Sequence, residues 1–259
     1  MHKLSRATLV FLIFLNGYVS LSLELVVLRQ LSFYVGSSAV ITSIIMAIFL
    51  GFMSFGYFIG ETQKINNEKI RKVLHASFLI IAILSVCAAS FPLITNYFEL
   101  MYACGIQSGV VQTFVYSMMF LSVGPFLFGL NTTLLSRQLR AYNKNCMGNI
   151  MAWDTIGSVF GSIATTLLLM PFIGVNYTVI LVTLLSAVGA LMLCRRWHAW
   201  LVCSVVLCGS LYINSNMYQR KWHGILVNNA NSTISVYKLG DETHVLYMNG
   251  LPMSLYNKN

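Results

Sequence analysis

The sequence predicts an all-α polytopic membrane bundle of six to seven transmembrane helices with a short C-terminal β-hairpin tail. The 259 residues are 57% hydrophobic and only 9% charged, whereas a soluble domain is about 25% charged. The apolar residues form a series of segments long enough to cross a bilayer core, which takes about 20 residues. After residue 213 short alternating runs of apolar and polar residues begin, which is typical of β-strands. We therefore divide the chain into a helical bundle (1–213) and a short polar tail (214–259).

Seven apolar segments define the bundle. The first follows a basic start, MHKLSR, and no small-residue cleavage site comes after it, so we predict a retained signal anchor. The six long predicted spans are Ala7–Leu28, Ala39–Gly60, Val73–Ile94, Gly109–Leu135, Gly148–Gly174 and Tyr177–Cys194. The seventh, Ala199–Ile213, has 15 residues, a length that also occurs in re-entrant or interfacial segments. Hydropathy favours a crossing, whereas the basic tail after it favours a segment that does not cross.

Basic and uncharged connections alternate along the chain. ETQKINNEKIRK, RQLRAYNKN and RRWH are basic, whereas VGSS, the stretch around NYFELMYACGIQS and GVN contain neither Lys nor Arg. Because cytoplasmic loops carry an excess of basic residues, the N-terminus is expected in the cytoplasm and the protein in the cytoplasmic (inner) membrane. The net charge of +9 follows from the same rule. The expected partner is therefore the lipid bilayer, and nucleic acid is not expected.

Three charged residues lie inside predicted spans: Glu24, Arg29 and Asp154. Glu24 and Arg29 are five positions apart and point about 140° away from each other on a helix, so we expect separate partners. Arg29 is expected to extend to the outer surface, which leaves Glu24 as the deeper charge with a partner on another span. Asp154 lies about two turns inside its span, where a charge usually has a function. The alternative is a structural ion pair with Arg137 or Arg140.

Small residues predict where the helices pack. Five glycines at helix-packing spacing are assigned to contacts between spans: Gly51, Gly56, Gly60, Gly157 and Gly161. Pro125 predicts a kink in the fourth span because proline removes one backbone donor. The six cysteines show no metal-ligand spacing, and most lie in apolar segments where a thiol behaves as a small hydrophobe. We predict no metal site, no cofactor and no catalytic residue in this chain.

The tail contains two alternating runs, STISVYKL and HVLYMNG, around the turn GDET, a pattern that predicts a β-hairpin. GILVNN is a further candidate strand. A ribbon of this size is marginally stable alone, so we expect either that it packs on a partner or that it begins a domain that this chain does not complete. The candidate docking residues are Ser235, Tyr237, Tyr247, Asn249 and Gly250.

These motifs together resemble the membrane region of fused spermidine-synthase-like integral membrane proteins, in which several spans precede an aminopropyltransferase-type domain. The resemblance lies in LELVVLRQLSFYVGSS followed by AIFLGFMSFGYFIG, in GPFLFGLNTTLLSRQL followed by MGNIMAWDTIGSVFGSIATTLLLMPFIG, and in STISVY and LYMNGLPMS. The last two are similar to the N-terminal strands of spermidine synthases. The family's Rossmann-like catalytic domain is lacking, because no glycine-rich loop follows a strand and Met253 stands where the family often has a substrate-side Gln.

The resemblance implies a non-catalytic membrane component that anchors or serves a separate catalytic subunit with a methyltransferase-like fold, with docking on the tail by strand addition. Two alternatives stay open. The chain could instead transport a polyamine or another small cation, since acidic residues in a bundle suit a cationic cargo, or it could be a truncated relic of a fused enzyme. Donors derived from adenosylmethionine are expected inside the cell, so the side of the tail discriminates among these hypotheses.

Overall fold

The structure, a computed structural model, describes residues 5–62, 66–140, 142, 147–194, 197–228, 232–239, 243–248 and 251–257. The long helices are α1 (Arg6–Val35), α2 (Ala39–Thr62), α3 (Asn67–Ala89), α4 (Phe91–Ala103), α5 (Gly109–Phe120), α6 (Val123–Arg140) and α7 (Met147–Ile163). A π-helical segment (Ala164–Leu169) follows, and then α8 (Met170–Phe172), α9 (Val175–Leu193), α10 (Trp197–Ile213) and α11 (Asn216–His223). The strands are β1 (Ile225–Asn228), β2 (Thr233–Leu239), β3 (Thr243–Met248) and β4 (Leu251–Asn257).

The predicted fold class is confirmed: an apolar helical bundle precedes a small antiparallel sheet. Within the described ranges, five helical stretches are long and apolar enough to cross a membrane, and α5 with α6 makes a sixth that is bent by 44°. Helix α10 is apolar but shorter, at 17 residues. We therefore treat the chain as a multi-pass membrane protein.

The third predicted span, Val73–Ile94, extends five residues beyond the observed end of α3. Helix α3 stops at Ala89, and α4 starts at Phe91 with Pro92 in its first turn. A proline is tolerated there because the first turn of a helix needs no amide donor. Its ring would clash inside a continuous helix, so Val73–Ile94 is divided at Ser90.

The fourth predicted span bends as Pro125 predicted, but the break comes before the proline. The chain leaves helical geometry between Phe120 and Val123, and Pro125 lies in the first turn of α6. At the break the Ser122 hydroxyl donates to the Met118 carbonyl at 2.7 Å. Side-chain donors of this kind satisfy backbone groups that a broken helix frees in the membrane.

Glycines bring two helix pairs into close contact. On α7, a Cβ at Gly157 or Gly161 would collide with the α1 carbonyl oxygens of Phe14 or Tyr18. On α2, a Cβ at Gly56 would collide with the carbonyl oxygen of Phe126 on α6. Close backbone approach of this kind holds helices together in lipid, where no hydrophobic force does.

The remaining two predicted packing glycines differ from each other. A Cβ at Gly60 would lie 2.7 Å from the Thr133 Cβ on α6, so this position also marks a close contact. A Cβ at Gly51 would meet no atom within 4 Å. Gly51 faces outward on α2, and its predicted role in helix packing within the chain is wrong.

Helix α10 makes a further pass along the bundle. Helix α10 packs antiparallel to α9, with the Cys203 thiol 3.9 Å from the Ala187 carbonyl oxygen. At its far end Asn214 donates to the Ser90 hydroxyl at 2.9 Å, beside the end of α3. Among the described helices, seven passes along the bundle are therefore made by α1, α2, α3, α5 with α6, α7, α9 and α10. We call the end at which α1, α3 and α7 begin the basic end, and the opposite end, where α11 and the sheet lie, the tail end.

The tail is larger than the predicted hairpin. Strands β2 and β3 form that hairpin, but the sheet has four antiparallel strands in the order β1–β2–β3–β4. GILVNN supplies β1, whereas β4 was not predicted, and it contains Pro252. Gly224 links α11 to β1 with a positive φ of 61°, and a Cβ there would collide with the Val236 carbonyl oxygen.

Candidate functional site

Polar groups gather inside the bundle, about one to four helical turns from the helix ends at the basic end. We call this set the aspartate cluster. It combines residues of α1, α2, α6 and α7: Asn16, Ser20, Tyr57, Asn131, Thr132, Asp154 and Ser158. At 1.5 Å per residue, Asp154 is roughly 11 Å from the start of α7, which places it inside the span.

The close contact of α1 with α7 positions the aspartate. A Cβ at Gly17 would collide with the Asp154 carbonyl oxygen, so only glycine allows α1 to lie against this turn of α7. The Ser158 hydroxyl, one turn further, donates to the Gly17 carbonyl at 3.3 Å. The backbone of α1 therefore fixes the α7 turn that carries the carboxylate.

Neutral groups surround that carboxylate. Asn16 donates to the Phe128 carbonyl at 3.2 Å and to the Thr132 hydroxyl at 3.0 Å, and it accepts from Asn131 at 3.2 Å. The Thr132 hydroxyl lies 3.5 Å from Asp154 Oδ1, at the long limit for a hydrogen bond. The amide of Asn16 faces the carboxylate as well.

The ion pair of Asp154 with Arg137 or Arg140, which was the structural alternative for this aspartate, is not found among the described residues. Arg140 forms a salt bridge with Glu61 at 3.7 Å, and Arg137 donates to the Gly60 carbonyl at 3.4 Å. Across the ranges that the structure covers, no basic side chain pairs with Asp154. Asp154 therefore lies in a network of neutral hydrogen-bonding groups rather than in an ion pair.

A cavity of about 20 Å³ lies against the carboxylate. A water molecule needs roughly 10–15 Å³ of such space, so the cavity has room for one water-sized guest. Oxygen-bearing side chains form much of its wall, together with Met53 and Phe128; they are Asn16, Ser20, Tyr57, Thr132, Asp154 and Ser158.

The two charges of α1 have different surroundings. Glu24 is only 6% exposed, and no described residue forms a hydrogen bond or ion pair with it, so the expected partner on another span is not observed. It follows Ser20 by one turn on the same helix face. Arg29 donates to Ser32 at 3.3 Å and to Thr233 of β2 at 3.2 Å. The predicted surface anchor therefore also binds the tail.

A second polar set, which we call the junction network, joins the tail to the bundle. Asn228 of β1 donates to Gln30 and to Asn176, both at 3.1 Å, and accepts from Thr233 at 3.0 Å. Gln30 donates to the Ala89 carbonyl at 3.2 Å, and Asn176 donates to Gln219 of α11. Neutral amides at these positions give no signal in the sequence, because their role appears only when distant segments meet.

The predicted docking residues do not form one surface. Ser235 is fully buried in β2 and is not accessible to a partner, and Tyr247 is partly buried in β3. Tyr237 pairs with Val245 in the hairpin register, and Asn249 and Gly250 lie outside the described residues. On β4, Pro252, Met253 and Ser254 are exposed.

Comparison of the chain with protein-family models, with curated proteins and with solved structures finds no match. Within the described part, no group of three or more His, Cys, Asp or Glu side chains is arranged to hold a metal ion. The class of the protein therefore follows from its fold and its two polar sets. It is a multi-pass membrane protein with a polar cluster around one intramembrane aspartate and a sheet fixed to one end of the bundle.

Proposed function

We propose that this protein is a non-catalytic membrane anchor for a separate partner with a methyltransferase-like fold, as part of a spermidine-synthase-like system. The observation that carries the proposal is the arrangement of the tail sheet. Its β1 side is tied to the bundle through Asn228, whereas β4 lies at the opposite edge. The resemblance of the span motifs and strands to spermidine-synthase-like proteins suggests the class of partner.

The edge strand supports docking by strand addition. Strand β4 pairs with β3, and the structure places no strand of the described chain on its other side. Pro252 and a bulge at Met253 interrupt the first half of this edge, devices that protect exposed edges from aggregation. The second half, from Ser254 to Asn257, keeps a regular register with β3. An extended segment of a partner can therefore pair there through its backbone.

The orientation belongs to the same proposal. The alternation of basic connections favours a cytoplasmic N-terminus in the inner membrane, and the seven passes then carry the tail to the opposite face. The partner would act outside the cytoplasm, away from the expected pool of adenosylmethionine-derived donors. Its chemistry would then differ from ordinary cytoplasmic polyamine synthesis.

Cysteine accessibility tests the orientation. In a cysteine-free background, Cys replaces Met217 of α11, which is 82% exposed, or the exposed Tyr142 at the basic end. A membrane-impermeant maleimide should label Met217→Cys in intact cells and Tyr142→Cys only after permeabilisation. The opposite pattern would invert the orientation, and labelling of both from one side would contradict the seven passes.

Photo-crosslinking tests the docking. A photoreactive amino acid at Ser254, on the open edge, should capture a protein with a methyltransferase-like fold in cells. The matched control carries the same group at Met217, which is exposed but lies on α11. Equal capture from both positions, or none from Ser254, would refute docking at the β4 edge.

Polyamine transport gains no support from the aspartate cluster. Pockets for small organic ligands usually measure about 300–1,000 Å³, whereas the cavity beside Asp154 measures about 20 Å³. The cluster is of a size for a single ion or water.

A further inference from the structure

We infer that the aspartate cluster is a binding site for one dehydrated monovalent cation of the size of Na⁺. The site is the cavity of about 20 Å³ between α1, α2, α6 and α7, with Asp154 as the charged ligand. The inference rests on the charge, the oxygen atoms and the size of this cavity. It does not depend on a docking partner for the tail.

The charge of Asp154 has no countercharge among the described residues. A carboxylate inside a membrane span is costly unless a positive charge or a proton neutralises it. The nearest groups to Asp154 are neutral: the Asn16 amide and the hydroxyls of Thr132 and Ser158. Arginines 137 and 140 bind elsewhere, on α2. A cation in the adjacent cavity supplies the missing charge.

Hydroxyl oxygens around the cavity can act as ligands to a cation. The Ser158 hydroxyl uses its proton on the Gly17 carbonyl, and the Thr132 hydroxyl lies 3.2 Å from the Phe128 carbonyl. A hydroxyl that donates its proton to a backbone carbonyl keeps two lone pairs. Thr132 uses one of them to accept from Asn16 at 3.0 Å, which leaves one for a cation. Each of these two side chains can therefore serve as a neutral ligand.

Ser20 supplies a further oxygen atom to the wall of the cavity. Its side chain lines the cavity and is only 7% exposed. No residue in the described ranges forms a hydrogen bond with its hydroxyl. Its hydroxyl oxygen can therefore act as a further neutral ligand to a cation in the cavity.

The number of carboxylates and the size of the cavity indicate which kind of cation fits the site. Calcium takes six to eight oxygens, usually from several carboxylates, and magnesium keeps several of its waters. One carboxylate and a cavity for one water-sized guest suit neither. They suit a single positive charge without its hydration shell, held by one carboxylate and hydroxyl oxygens.

The test measures Na⁺ binding to the purified full-length chain in detergent. Radioactive ²²Na⁺ should bind saturably with one ion per chain. Thermal stability should rise with the NaCl concentration when choline chloride keeps the ionic strength constant, because a ligand of the folded state stabilises it. Asp154→Asn, which keeps the shape of the side chain, should abolish both effects. Ser20→Ala should weaken binding about tenfold, as expected for one lost polar contact.

Glu61→Gln is the matched control. It removes one acidic charge from α2 near the basic end but outside the cavity, and it should bind ²²Na⁺ like the wild type. If Asp154→Asn fails to fold, the Ser20→Ala titration still decides. Equal stabilisation by NaCl and choline chloride, unchanged binding by Ser20→Ala, or stabilisation by acid alone without Na⁺ binding would overturn the inference.

Discussion

At the tail end of the bundle, amide side chains from distant segments bond to each other, whereas near the basic end one carboxylate lies among neutral groups beside a cavity. Asn228 alone joins α1, α9 and β2 through Gln30, Asn176 and Thr233. Asp154 has only a hydroxyl contact at 3.5 Å and a neighbouring amide. Both regions are polar and both lie within or against apolar helices.

The difference separates a structural region from a candidate binding site. Buried amides that find partners stabilise a unique arrangement, and removing one partner leaves the others unsatisfied. A buried charge without a countercharge instead indicates that something else neutralises it. The junction network thus explains how the tail is held, and the aspartate cluster predicts a guest.

The largest expected effect breaks the close helix contact on which the aspartate cluster depends. Gly157→Leu places a side chain against the Phe14 carbonyl on α1. Overpacking costs about 1–3 kcal/mol and more where backbone must move, so we expect a loss of about 3 kcal/mol in the free energy of unfolding. The measurement is thermal or denaturant unfolding in detergent.

Gly51→Leu is the control for this substitution. It adds the same side chain on α2 where a Cβ would meet no atom within 4 Å, and we expect a near-wild-type transition. Similar losses from both leucines would show that the added volume matters rather than the contact between α1 and α7.

The next effect breaks the junction network. Asn228→Ala removes the partner of three buried polar groups, on Gln30, Asn176 and Thr233. Each unsatisfied group costs about 1–3 kcal/mol, and relaxation and water should reduce the total to about 2 kcal/mol. The sheet and α11 should exchange amide hydrogens faster while the helices of the bundle keep their protection.

Asn149→Ala tests whether that effect is specific to the network. Asn149 is exposed on α7, so its loss should leave hydrogen exchange in the tail unchanged. Equal protection of the tail in Asn228→Ala and in the wild type would mean that the sheet is held to the bundle by other contacts.

The sequence predicts the bundle well because hydropathy is a local property of each segment. The predicted span Ala39–Gly60 and the observed helix Ala39–Thr62 differ by two residues. Boundaries fail where one residue decides the geometry, as at Pro92. Strand β4 lies outside the predicted hairpin, and it tolerates Pro252 because it is an edge strand.

The sequence predicted the charged residues of the sites but not the neutral residues that surround them. Asp154 is visible in the sequence because a charge is rare in a span, but its neighbours Asn16 and Thr132 are neutral and lie 116 positions apart. Arg29 similarly reaches Thr233 over 204 positions. Contacts of this length depend on the packing of helices, and no pattern within one segment contains them.

The smallest expected effect sharpens the contrast between charges in different surroundings. The salt bridge of Arg140 with Glu61 is at 3.7 Å, and the two side chains are 38% and 60% exposed. Exposed pairs contribute about 0–1 kcal/mol because water and salt screen them. Glu61→Gln should therefore change the free energy of unfolding by less than about 0.5 kcal/mol, and added salt should reduce even this difference. Asp154→Asn should differ in kind, because its effect on stability should depend on which cation is present at constant ionic strength. If Glu61→Gln showed that same cation dependence, the ion would be bound at the surface pair rather than in the cavity beside Asp154.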